Sequence, residues 1–189
     1  MDAVEYILGK HREMEQLLDQ LEQAEDPGRR TELLRDLTVE LARHMAVEER
    51  VLFPAVRAEL CDVDPETFGD DVLENLEEHH VLKTILDELH DMDPDDERFP
   101  AKAEVLAETV EHHHEEEEEG VLAGIREHWD DARRAGIGRQ LQEAEATAPT
   151  RAHPNLPDEG RLVEASQRFA AAIDKARDAV RDAADTLRP

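Results

Sequence analysis

Four stretches of this chain carry apolar side chains at the three-and-four-residue spacing of an α-helix, and each apolar stripe is interrupted by histidine or glutamate. The first stretch, residues 2–25, aligns Val4, Ile7, Leu8, Met14, Leu18 and Leu21, and Asp26-Pro27-Gly28 ends it. The second runs from Arg29 to Leu60 with Leu33, Leu34, Leu37, Leu41, Met45, Val51, Leu52 and Val56, and Pro54 should kink it. The third, Asp70 to His90, carries Val72, Leu76, Leu82, Leu86 and Leu89. The fourth, Phe99 to Ala135, carries Leu106, Val110, Val121, Leu122 and Ile125. Long amphipathic helices joined by short polar turns imply an all-α fold, an up-down-up-down four-helix bundle.

Beyond Ala135 the pattern weakens. Three prolines between Ala146 and Gly160 read as an extended linker. A last helical stripe follows, with Leu162, Phe169, Ile173, Ala176, Val180, Ala183 and Leu187. The expected organisation is a bundle over residues 1–135, a linker over 136–160 and an additional C-terminal helix over 161–189. That seam can dock on its own bundle or on a second copy, giving a homodimer through the C-terminal helix.

The formal net charge of -27 sets the classes of partner. A surface this acidic repels nucleic acid and anionic membranes and suits cations. There is no apolar run of membrane-spanning length and no signal-peptide pattern at the N-terminus, so a cytoplasmic location is expected. Cys61 is the single cysteine, which leaves no intramolecular disulfide.

The polar residues on the stripes carry the chemistry. His11 lies between Leu8 and Met14. His44 and Glu48 are four apart and project from one helix face. His79 lies between Leu76 and Leu82, and His80 points about 100° away. In the run EHHHEEEEEG (Glu111–Gly120), His114 and Glu118 fall on the stripe with Val110 and Val121, His113 is intermediate and His112 faces away. A buried glutamate is costly unless paired or metal-bound. Ligand-type side chains at corresponding levels of four helices therefore point to a metal site. The His-x3-Glu at His44 recurs 70 residues later at His114 (114 − 44 = 70), so two helix hairpins supply equivalent half-sites, a geometry for two ions. Imidazole with carboxylate and no thiolate suits iron, manganese or zinc.

His11, the block HMAVEERVLFP at His44–Pro54, EEHHVLKTILDEL at Glu77–Leu89 and the second His-x3-Glu resemble a hemerythrin-like, HHE cation-binding domain over residues 1 to 135. The resemblance implies a non-haem pair of iron ions with an oxo or hydroxo bridge, manganese or zinc ranking behind iron. The ligands it implies are His11, His44, Glu48, His79, His114 and Glu118, with His80 and His113 as alternatives to their neighbours. The partner it implies is a small diatomic ligand or peroxide. The roles are oxygen, peroxide or nitric oxide chemistry, or iron and redox sensing. Oxygen carriers resembling this domain have a second third-helix histidine four residues after the first, where this chain has Lys83 counted from His79 or Thr84 counted from His80, and an Asp where it has Glu119. The implied centre is therefore a symmetric one of four histidines and two glutamates.

Three other readings use the same residues. A ferritin-like oxidase needs Glu-x-x-His pairs; Glu77 with His80 and Glu111 with His114 have that spacing, but Leu41 stands three residues before His44. Catalase-like turnover of peroxide needs a proton donor, for which Tyr6 is the candidate. An acidic helical interaction module without a metal would use the histidines only as core filler.

Overall fold

The computed structural model describes residues 1–160 and 162–186, and every regular element in them is helical. Helices α1 (Ala3–Gln23) and α2 (Pro27–Val47) make one antiparallel hairpin, and α4 (Pro65–His90) with α5 (Phe99–Glu119) makes the other. Helix α1 packs on α5 and α2 on α4, which closes the up-down-up-down bundle. Aspartates start three of these elements at the expected polar turns. Asp2 accepts from the Val4 amide at 2.9 Å, Asp26 from Arg29 at 2.8 Å and Asp64 from Thr67 at 3.1 Å. Each such cap contributes about 1 kcal/mol by pairing an otherwise free backbone donor.

The second long helix is not continuous. A π-helical turn spans Glu48–Leu52, and α3 (Phe53–Glu59) carries on from it. Pro54 has no amide to give the Arg50 carbonyl and its ring crowds that carbonyl, so a regular α-turn is disfavoured there. The Phe53 amide instead reaches back five residues to the Glu48 carbonyl. The wider turn carries both Glu48 and Glu49 into the interior.

The fourth long helix also divides. Gly120 ends α5, and α6 (Val121–His128) follows. Helix α7 (Asp131–Glu145) then packs back on α1 with Ile137, Leu141 and Ala144 buried. Residues 136–145, expected as linker, are thus helical. Gly138 permits this packing, because an added Cβ would lie 2.3 Å from the Met1 carbonyl oxygen. Arg134 bonds Asp2 at 2.7 Å and Lys10 bonds Glu145 at 2.8 Å, fixing α7 to α1 at both ends.

Helix α8 (Val163–Thr186) docks through a different face from the expected seam. Val163, Gln167, Ala170 and Asp174 are buried, while Leu162, Phe169 and Val180 are exposed. Leu187, the last residue of that seam, lies outside the described residues. No helix among the described residues is long and apolar enough to cross a membrane.

The bundle interior holds two apolar clusters rather than one. One is built around Ile7, Leu52, Phe53, Val72, Val121 and Ile125. The other is built around Met14, Leu37, Leu41, Leu82, Leu86 and Val110. Between them, at one level of all four long helices, lies a buried polar layer.

Candidate metal centre

The layer contains His11 from α1, His44 from α2, Glu48 from the π-turn, His79 from α4 and His113, His114 and Glu117 from α5, each 2 % exposed or less. Their donor atoms gather in overlapping groups: His11, His44 and His114; His11, His44, Glu48 and Glu117; and Glu48, His79 and His113. Within each group the donor atoms lie within 4.8 Å of one another.

The first four residues named by the sequence, His11, His44, Glu48 and His79, meet in this layer. His80 is exposed. On α5 the structure brings in His114 as expected, but also His113 and Glu117. Glu118 stands outside these groups, with its side chain 40 % exposed, and its Oε1 accepts from His11 Nδ1 at 2.8 Å. Glu117 is the residue that sits two helical turns beyond Val110 and one turn before Val121, a position the stripe could have revealed. The layer thus unites five histidines and two glutamates, three imidazoles on one side of Glu48 and two on the other.

The inward ring nitrogens are set by groups outside the layer. His79 Nδ1 donates to Glu49 at 3.0 Å, His113 Nδ1 to Glu78 at 2.8 Å and His11 Nδ1 to Glu118. A carboxylate can only accept, so each of these rings carries a proton on Nδ1, and in its neutral form turns a bare Nε2 inward. Such a carboxylate behind the imidazole is the arrangement that orients histidines for a metal. None of Glu49, Glu78 or Glu118 was placed in this supporting role by the spacing, because they lie beside the apolar stripes.

The inward atoms fit a cation. His79 Nε2 and His113 Nε2 face each other at 3.3 Å, two lone pairs that repel unless a positive charge lies between them. Glu48 approaches His44 Nε2 at 3.1 Å and His79 Nε2 at 3.2 Å, and Glu117 approaches His11 Nε2 at 3.1 Å. These approaches are close but misaligned. Among the described residues, both carboxylate oxygens of Glu48 and Glu117, both ring nitrogens of His44 and His114, and His11 Nε2 have no hydrogen-bond partner. Buried polar atoms are ordinarily paired. Ligands around an ion at about 2.1 Å stand roughly 3 Å apart, the spacing seen here.

Electrostatics agree. Burial, then the charges of His11 and His114, hold His44 well below the ordinary imidazole range. Burial and His113 do the same for His79, and burial and His11 for His114. These rings stay neutral, the form that ligates. Burial, then Glu117 and Glu49, push Glu48 well above the usual carboxylate range. For His11 burial acts downward, but the close approach and charge of Glu117 and the bond and charge of Glu118 outweigh it and raise the ring. Tyr6, the expected proton donor, is buried in the apolar cluster around Ile7, and burial, then the Glu145 charge, raise its hydroxyl far above the ordinary phenol range, which makes it a weak acid.

Lys83, which stands where oxygen carriers have a further histidine, donates to Glu49 at 2.5 Å. Burial pushes the Glu49 carboxyl up to about 7 even against Lys83. The fifth imidazole of the layer therefore comes from α5, not from α4.

The comparisons with known proteins agree with this geometry. An uncharacterised hemerythrin-like protein of Schizosaccharomyces pombe is 26 % identical over 172 residues, covering 91 % of this chain and 83 % of that protein. No solved structure matches the chain. The profile of the hemerythrin HHE cation-binding domain matches residues 2–125, the span that contributes every residue of the layer, and the chain belongs to that family.

Proposed function

We propose that the chain holds two iron ions in this layer and uses them to bind a small diatomic molecule or peroxide, as an oxygen-species, nitric oxide or redox sensor. The carrying observation is the set of unpartnered carboxylate and imidazole atoms buried between two apolar clusters. His11, His44 and His114 would hold one ion, and His79 and His113 the other. Glu48 would lie between them, since its two oxygens face His44 and His79, and Glu117 would complete the side nearest His11. Bound iron would supply one-electron chemistry. The chain's residues orient the imidazoles through Glu49, Glu78 and Glu118 and exclude water on both sides of the layer. Binding is favoured over peroxide turnover because Tyr6, the expected proton donor, is made a weaker acid by burial and by the Glu145 charge.

Iron content and an optical spectrum of the purified protein test the first claim, with about two irons per chain expected. Proton release gives a sharper test. His44, His79 and His114 are already neutral, whereas His11 and Glu48 hold protons to higher pH than usual. Metal uptake must displace those two, so affinity should rise with pH through the raised range in which His11 and Glu48 lose their protons. Chelator competition at several pH values reads this, and a flat profile would refute the assignment of His11 and Glu48 as ligands.

We also place the expected homodimer on the outer face of α8, where Phe169 is 70 % exposed and Val180 72 %. Light scattering of the purified chain should return twice the chain mass; a monomer at high concentration ends that reading.

A further inference from the structure

Helix α8 reaches the support of the metal layer. Gln167, 4 % exposed, donates from Nε2 to Glu49 Oε2 at 2.7 Å. The other oxygen of Glu49 accepts from His79 Nδ1 at 3.0 Å and from Lys83 at 2.5 Å. Glu49 thus joins three donors from two helices, and one of the three is the ring of a layer histidine. Its amide orientation follows from chemistry, since the Gln167 carbonyl turned toward a carboxylate would be repelled. That carbonyl has no donor among the described residues. A buried amide with one half unpaired gains little net stability from its one bond. The contact is better explained by what it does to Glu49.

The path is short. The void between Glu49, Lys83 and Gln167 is about 20 Å³, room for one water at most, while a larger cavity of about 400 Å³ borders Glu49 on the side of Phe53 and Val163. A carboxylate with both oxygens held by donors is restrained, and so is the imidazole it holds. Two turns further along α8, Asp174 accepts from the Thr150 amide at 3.1 Å and from His153 Nε2 at 3.0 Å, which anchors the helix without touching Glu49.

We propose that Gln167 is a positioning residue of the metal centre, acting through Glu49 on His79, so that the C-terminal helix forms part of the centre's support. This rests on the two-metal reading above.

The test uses the full chain with cobalt(II), whose visible bands report the ligand geometry, and compares three proteins. Gln167→Met keeps the length of the side chain and removes the donor. Asp174→Asn weakens the anchor of α8 and leaves the donor in place. Gln167→Met should bind cobalt about 10-fold more weakly than wild type with shifted bands, whereas Asp174→Asn should keep wild-type affinity and bands. Should Gln167→Met fold poorly, Gln167→Leu must give the same result. Wild-type affinity and bands in both Gln167 variants would overturn the proposal. So would equal weakening in Asp174→Asn, which would reduce Gln167 to general docking. If wild type takes up no cobalt, and no other metal, the two-metal reading fails and carries this proposal with it; a wild type that binds while Gln167→Met is unchanged removes the proposal alone.

Discussion

Glu48→Gln is expected to remove metal binding and, at the same time, to make the metal-free protein more stable. Glu48 is fully buried, has no hydrogen-bond partner for either oxygen among the described residues, and lies near Glu117 and Glu49. Without a cation its charge is a cost, and exchanging a site residue for a neutral one of the same shape commonly returns about 1–2 kcal/mol. For a chain of this size that is a rise of roughly 2–8 °C in the midpoint of thermal unfolding. The pH dependence has a definite sign. Glu48 has a raised carboxyl in the folded state, so the folded protein keeps this proton when the unfolded chain has lost it. The stability tied to that proton is full below the ordinary value of 4.5 and is lost as pH rises above it. The advantage of Gln should therefore be largest at neutral pH and vanish toward pH 4.5. Thermal melts of chelated protein with parallel metal analysis check both halves. Retention of two ions by the variant, or a lower melting point, would contradict the role given to Glu48.

The second large effect separates neighbours on α5. Glu117→Gln should lose at least one of the two ions, because this side chain is fully buried beside His11 Nε2. Glu118→Gln should keep both ions at saturation and weaken binding by about 10-fold, because its bond to His11 Nδ1 only orients the ring and the amide oxygen can still accept. Metal stoichiometry and chelator competition on the two variants decide it. The opposite ranking would return the inward position to Glu118.

That pair shows what was legible in the sequence and what was not. The apolar period gave four helices and placed His11, His44, Glu48 and His79 at one level, because each of these helices has few residues that can face inward. The EHHHEEEEEG run allowed no such selection: its neighbours are chemically alike, and a helix turns only about 100° per residue. The spacing favours His114 and Glu118, with His113 as the alternative, whereas His113, His114 and Glu117 share the inward face. The π-turn was foreshadowed by Pro54, but its consequence, two adjacent buried glutamates, was not, since a regular helix would turn one of them outward. Helix α7 was missed because Gly136, Gly138 and its many polar residues leave only Ile137 and Leu141 as strong apolar signals. Helix α8 is legible, but its docking face is not, because buried polar residues share that face with Val163 and Ala170. Gln167 and Asp174 are buried on it, while the aliphatic and aromatic residues that drew the expected seam face outward.

The division of the interior into two apolar clusters has a consequence for how the molecule holds together. The clusters meet only across a layer of mutually unsatisfied polar groups, so the weakest region runs across the middle of all four helices. Each half can then open with its own free energy, as partly independent cooperative units do. An ion bound to residues from α1, α2, α4 and α5 joins both hairpins at that level. Occupancy would decide whether the bundle behaves as one cooperative unit or two, and an occupied centre would act as the rivet of the fold.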